Sequence, residues 1–262
     1  MKIVCAVSGG MDSATCLWNC VKEFGAENVL GVSVFYGQRH EVELDRARQE
    51  CERLNVKHVE LNLTPVFQFN KDVSALLSGS KEEVVQDKTY SELMDEKIAK
   101  GEVPISDEYI PNRNSIIANI LAAVGMQFFK GEHITIVVGV HSDDNLKREG
   151  SNISAYPDCS PEWAEAVARE LEIGTAGLVT LSAPLVHKTK TEVAQFGVAA
   201  GMSKEDFNRT WSCYKGGDKQ CGKCPTCLDR IHALLKAGVY TSVDDLTSNY
   251  KLSQEEASNL MK

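Results

Sequence analysis

The stretch Val4–Trp18, VCAVSGGMDSATCLW, decides the fold. Its first half is apolar and ends at Ser8-Gly9-Gly10; beyond the glycines Ala14, Leu17, Val21 and Phe24 recur at helical spacing. A strand that passes through glycines into a helix is the form of an anion-binding turn. Glycine lets the backbone approach closely, and the first-turn N–H groups and the helix dipole favour negative charge. The triphosphate signature G-x-x-x-x-G-K-[ST] is missing, because no lysine follows the glycines. Ser8 and Ser13 add hydroxyl donors. Asp12 would repel a phosphate that it faced, so it is expected to hold magnesium or to cap the helix. A plain Gly-Gly turn is the structural alternative; S-G-G-x-D-S directly after a first strand favours a nucleotide site.

Outward from this stretch, strand and helix patterns alternate. Lys2–Val7, Asn28–Tyr36, Lys57–Leu63 and His133–Val140 read as strands; Glu41–Leu54 and the strongly apolar Asn114–Phe129 read as helices. Strands separated by helices pair in parallel through crossovers, so the expected class is α/β, a doubly wound, mainly parallel sheet with a small C-terminal zinc-binding segment. The expected organisation is a nucleotide-binding domain over 1–205, a four-cysteine segment and helix over 206–240, and a helical tail over 241–262. Thr64–Ile110 interrupts the rhythm with charged runs and one short helical pattern, YSELMDEKIAKG. It reads as a surface insertion or as a lid. In the tail, Ser253 and Glu256 have capping-box spacing.

Composition narrows the function. The net charge of −9 disfavours a broad nucleic-acid-binding face, which needs clustered Lys and Arg. No run reaches the ~18 apolar residues of a membrane helix, and the short N-terminal apolar run lacks a signal-peptide cleavage pattern, so a cytoplasmic location is expected. Nine cysteines then point to metal or thiol chemistry before disulfides. Cys5, Cys16, Cys20, Cys51 and Cys159 are scattered and expected in the core. Cys213, Cys221, Cys224 and Cys227 stand as C-x7-C-x2-C-x2-C, the composition of a closed tetrahedral zinc site, with Gly222 permitting the tight turn. A [4Fe–4S] cluster is the rival, since ferredoxins also use C-x2-C-x2-C, but here the fourth cysteine is upstream and no Cys-Pro follows three residues after Cys227.

Four further polar clusters fall at expected strand or helix ends. FYGQRH (Phe35–His40) supplies Arg39, suited to a phosphate or carboxylate. IPNRNS (Ile110–Ser115) supplies Arg113, with Asn114 as a possible N-cap. SAYPDCSPEW (Ser154–Trp163) offers Tyr156 for stacking and Asp158 as an acceptor for a guanine-like edge, or simply a turn before a Ser160-capped helix. APLVHKTKTEV (Ala183–Val193) brings Lys188 and Lys190 to a helix start.

The loop resembles that of the PP-loop ATP pyrophosphatases. With YGQRH, PNRN, YPDC and CGKCPTC in the same order, Met1 to about Gly238 resembles the QueC family of 7-cyano-7-deazaguanine synthases. The resemblance implies ATP, zinc and magnesium as cofactors, and attack of a substrate oxygen on the α-phosphate. It implies an ATP-dependent C–N ligase that converts 7-carboxy-7-deazaguanine and ammonium to the nitrile through two adenylations. The implied nucleotide-binding stretch is Val7, Ser8, Gly9, Gly10, Met11, Asp12, Ser13, Ala14, Thr15, Cys16 and Leu17, with Arg39. Asp12, Ser13, Arg113 and Lys190 are the candidate catalytic residues, Tyr156 and Asp158 the candidate base contacts, and the four clustered cysteines the metal ligands. No membrane or direct nucleic-acid partner is expected, and a homodimer is compatible with the family. Met11, Asn112, the seven-residue cysteine spacing and a longer segment between Val140 and Tyr156 depart from the family pattern. A relative that stops at the amide, or joins the deazaguanine to another molecule, would look alike. A tRNA-thiolating PP-loop enzyme is disfavoured by the acidity and by the closed thiolate set. A bare zinc-ribbon module would leave the loop unexplained.

Overall fold

The computed structural model describes residues 1–38, 42–70, 74–78, 80, 87–145 and 154–262. The chain runs β1 (Lys2–Ala6), α1 (Met11–Phe24), β2 (Val29–Phe35), α2 (Val42–Arg53), β3 (Lys57–Asn62), α3 (Thr64–Phe67), α4 (Tyr90–Ala99), α5 (Arg113–Phe128) and β4 (Ile134–Val137). It continues with α6 (Pro161–Gly174), β5 (Val179–Ser182), α7 (Lys190–Ala200), α8 (Lys204–Arg209), α9 (Pro225–Lys236), α10 (Val243–Asn249) and α11 (Gln254–Leu260). The strands form one sheet in the order β3-β2-β1-β4-β5, and every pairing is parallel. The expected doubly wound α/β architecture is what the chain adopts. Strand order reverses between β1 and β4, and the crevice beyond such a reversal is where open α/β sheets hold ligands.

Alternation along β1 explains the two-sided packing. Ile3, Cys5 and Val7 face one core with Leu17, Val193 and Ile231; Val4 faces the other with Leu121, Ile136 and Val167. The scattered cysteines are all buried and free, as expected for small core fillers.

The helix starts show where local chemistry wins. Ser160 caps α6, and Ser253 with Glu256 forms a full capping box on α11, both as their spacing suggests. The bland reading of Asn114 as the cap of α5 does not hold. The cap is Asn112 in a left-handed conformation, φ 56°, and the helix begins at Arg113. Nor does Asp12 cap α1, where Gly10 occupies the N-cap.

The C-terminal third shares the main core: Cys213, Cys224, Cys227, Tyr240, Tyr250 and Ala257 lie in the same buried cluster as Leu17. Arg230 organises it. Fully buried, its guanidinium donates to Tyr250 Oη at 3.0 Å, Thr210 Oγ1 at 2.7 Å and the Phe207 carbonyl. The described part of the insertion is packed as well, with Phe67, Leu76, Leu77 and Ile110 forming a small core. Among the described residues, no helix is long and apolar enough to cross a membrane.

Removing Arg230 leaves several buried acceptors without a donor. Arg230→Ala should therefore cost roughly 3 kcal/mol, or about 6–12 °C in Tm, in thermal and urea unfolding.

Candidate active site

The loop after β1 is tied to itself. Ser13 Oγ turns back to accept the Ser8 N–H at 3.1 Å and donates to the Gly10 carbonyl at 3.1 Å, while the Gly10 N–H donates to Ser8 Oγ at 3.3 Å. Gly10 offers no side-chain cap, so the first-turn amides of α1 stay available to an anion. Gly9 is compelled twice: its φ is 83°, and a Cβ there would lie 2.0 Å from the Glu43 carbonyl oxygen. Beyond β4 the chain grazes the loop, and a Cβ on Gly139 would lie 3.2 Å from Ser13 N.

Lys190 reaches this point from the first turn of α7. The Thr189–Glu192 capping box starts that helix, and the Lys190 N–H donates to Asp143 Oδ2 at 2.7 Å, clipping the helix start to the segment after β4. The ammonium then sits 2.5 Å from Asp12 Oδ2 and 3.1 Å from His141 Nε2. His141 Nε2 is in turn 3.3 Å from Asp144 Oδ2. Burial alone would raise the Asp12 carboxyl, but Lys190 and His141 outweigh it and hold the group below the usual range. Asp12 Oδ1 is buried without a hydrogen-bond partner.

These groups open onto one cavity of about 290 Å³. Ser8, Gly10, Asp12, Ser13 and Lys190 form one end. The lining also includes the apolar Ala6, Val32, Val34, Val138 and Ile117, and the polar or aromatic Tyr36, Tyr90, Tyr214, Glu43 and Arg113. The Arg113 guanidinium lies over the Tyr36 ring, 5.4 Å from its centroid. Burial pushes the Glu43 carboxyl up to about 7, opposed by Arg113.

The cysteine segment completes the cavity. The Trp211 N–H donates to the Gly9 carbonyl at 2.8 Å, and Thr226 Oγ1 to the Ser212 carbonyl at 2.7 Å, so Ser212, Tyr214, Thr226 and Asp229 line the same space. Burial pushes the Asp229 carboxyl up to about 6, against the pull of Lys190. Behind this wall the four Sγ atoms of Cys213, Cys221, Cys224 and Cys227 lie within 4.8 Å of one another, a set that can hold a metal ion. The backbone N–H groups of Cys221 and Cys224 point at Cys213 Sγ and Cys221 Sγ, at 3.2 and 3.3 Å, as donors that stabilise thiolates.

The residues singled out in the sequence, Gly9 of the loop apart, divide four ways. Val7, Ser8, Gly10, Asp12, Ser13, Arg113 and Lys190 meet at the cavity. Met11, Ala14, Thr15, Cys16 and Leu17 turn into the core beneath the loop. Tyr156 and Asp158 stand behind the wall: Tyr156 Oη lies 3.1 Å from Tyr90 Oη and 3.0 Å from Ser106 Oγ, and Asp158 Oδ2 accepts the Asn114 N–H at 2.9 Å. Arg39 lies outside the described residues, as do 146–153 of the longer segment before Tyr156. His141, Asp143 and Asp144 were missed, although a polar HSDD run directly off a buried strand marks a strand's carboxyl end. Glu43 and Asp229 sit inside amphipathic helix patterns and carry no such signal.

The family model of the queuosine biosynthesis protein QueC matches residues 2–238. This chain belongs to the QueC family. It is 32% identical over 238 residues to the 7-cyano-7-deazaguanine synthase of Hahella chejuensis, covering 90% of this chain and 89% of that one. It is 32% identical over 244 residues to the namesake enzyme of Caldicellulosiruptor saccharolyticus, covering 93% and 95%. Among solved structures, the NH3-dependent NAD synthetase from Campylobacter jejuni is similar over 99% of this chain and 83% of its own, at 13% identity and a TM-score of 0.41, too distant to carry an argument.

Because metal-binding energy at a closed thiolate site is folding energy, Cys224→Ser should lose most of its bound metal and lower Tm together, by elemental analysis and calorimetry.

Proposed function

We propose that this QueC-family chain is an ATP-dependent ligase that makes 7-cyano-7-deazaguanine from 7-carboxy-7-deazaguanine and ammonium, releasing AMP and diphosphate. The observation that carries the reading is the convergence of an anion-binding loop free of a Walker lysine with Lys190, delivered from another helix. A P-loop NTPase clamps the terminal phosphates with a lysine in its loop. Here the loop amides, Ser8 and Ser13 suit a departing diphosphate, and Lys190 stands beside the point where the α-phosphate would be attacked.

The chemistry balances in two rounds. A carboxylate oxygen attacks the α-phosphorus and diphosphate leaves. Ammonia displaces AMP from the acyl adenylate, giving the amide after loss of a proton. The amide oxygen attacks a second ATP in the same way, and loss of both N–H protons and of AMP leaves the nitrile. Lys190 offsets negative charge developing at phosphorus, and the Asp12–Lys190–His141 arrangement holds its ammonium in place. Arg113 serves as a carboxylate or phosphate clamp. The adenine fits the apolar wall of Val32, Val34 and Val138.

Magnesium fits this end, because Asp12 keeps one buried oxygen without a partner. Bound there, it would supply charge neutralisation to the phosphates. Zinc fits the four-thiolate set: with Zn–S near 2.3 Å, tetrahedral sulfurs stand about 3.8 Å apart, and Cys221 Sγ and Cys227 Sγ are 3.9 Å apart. Filled by four protein ligands, the ion would hold the 206–240 segment against the loop and take no part in bond making. The free buried thiols fit a reducing compartment, so we assign the enzyme to the cytoplasm.

Asp12→Asn and Ser13→Ala should each lower AMP formation about 100–1000-fold while the protein stays folded; unchanged AMP release in both would remove the loop from the reaction. Stoichiometry tests the product. A nitrile requires two AMP per product and no ADP, whereas an amide-forming enzyme stops at one, with the amide accumulating under excess ATP. A time course of AMP against product mass separates them.

A further inference from the structure

Most carboxylates at the cavity are already committed. Asp12 pairs with Lys190, Asp143 accepts the Lys190 N–H, Asp144 faces His141, and Asp229 feels Lys190 from the same end. Glu43 differs. Among the described residues its carboxylate makes no hydrogen bond or ion pair, and the charged group that bears on it is Arg113. It is nevertheless well fixed: it stands in the first turn of α2, with its carbonyl oxygen pressed against Gly9. Its side chain lines the cavity with Tyr36, Tyr90 and Tyr214, flat apolar surfaces suited to a planar heterocycle. The residue is half-buried, and a ligand with paired donors that closes over the carboxylate supplies the partners it lacks.

A deazaguanine offers such a pair. Its N1–H and 2-amino group lie side by side on the six-membered ring, while the reacting carboxyl is on the five-membered ring. The group that reads the base is therefore one not already paired with Lys190, and among the described residues Glu43, packed on Gly9 of the loop, is the cavity carboxylate that remains. Asp158, the sequence-level candidate, does not line the cavity and is bonded to the Asn114 N–H.

We propose that the Glu43 carboxylate is the specificity-determining residue for the base, accepting N1–H and one 2-amino hydrogen and so selecting a 2-amino-4-oxo pyrimidine edge. This assignment rests on the functional reading above.

The test compares 7-carboxy-7-deazaguanine with its analogue lacking the 2-amino group, read as substrate-dependent ATP–diphosphate exchange. The wild type should prefer the 2-amino substrate by kcat/KM about 100-fold or more, because a site built for a donor rejects the analogue that lacks it. Glu43→Gln should raise KM for the 2-amino substrate about 10–100-fold, with a smaller change in KM for ATP, and should narrow the discrimination by a similar factor. Glu43→Asp, which keeps the charge, should retain part of it. Full discrimination in Glu43→Gln, or a rise in KM confined to ATP, overturns the assignment. So does a wild type that takes both substrates equally, whatever becomes of the variants. A wild type that exchanges with neither substrate overturns instead the deazaguanine reading beneath it.

Discussion

At Gly9 three parts of the molecule meet on one backbone unit. The residue takes a positive φ, has no room for a Cβ against the Glu43 carbonyl, and gives its own carbonyl to the Trp211 N–H. The first contact sets the start of α2 against the loop; the second brings in the C-terminal segment. A larger residue would have to move α2 or open the loop, since the obstructing atoms are backbone and cannot swing aside. The cavity is thus defined by a packing constraint before any ligand enters it.

This constraint gives the cysteine segment a structural purpose. Four thiolates, Arg230 and the tail around Tyr250 are far from β1 in sequence, yet they fix the strip from Trp211 to Tyr214 that walls the cavity. Arg230 holds the strip through Thr210 and Ser212, at 2.7 and 3.4 Å, and a metal ion at the cysteines would hold it through Cys213. The two devices act on neighbouring residues, so loosening either would displace Trp211 from Gly9.

What was legible in the sequence follows from the range of the forces involved. The strand-and-helix order, the loop and the thiolate set were readable because each is written in local spacing: period two, period 3.6, a glycine pair, cysteines a few residues apart. The wall was not. Tyr214, Tyr90 and Tyr156 form a hydroxyl chain from three separate segments, with 3.0 and 3.1 Å links, and no local pattern joins them. Asp158 is engaged within the fold. Its YPDC setting suggests an open acceptor, but an N–H of the first turn of α5 already engages one of its oxygens. Among the described residues the cavity carboxylate without a hydrogen bond or ion pair is Glu43, in a helix whose polar face looks like any solvated face.

The proposed reaction gives a reason for reading the ring and the reacting group with different residues. The same ring must be adenylated first on a carboxylate and then on an amide, groups that differ in charge and in hydrogen-bonding character. A site that recognised the reacting group closely would hold one well and reject the other, because a mismatched polar contact in a buried site is penalised heavily. Recognition placed on the six-membered ring is blind to that change. The reacting end can then rely on charge directed at phosphorus, which is the same in both rounds. In the proposed reaction Lys190 and the loop amides would do that work whichever oxygen attacks, and the cavity tyrosines would keep the ring in one orientation while its substituent changes.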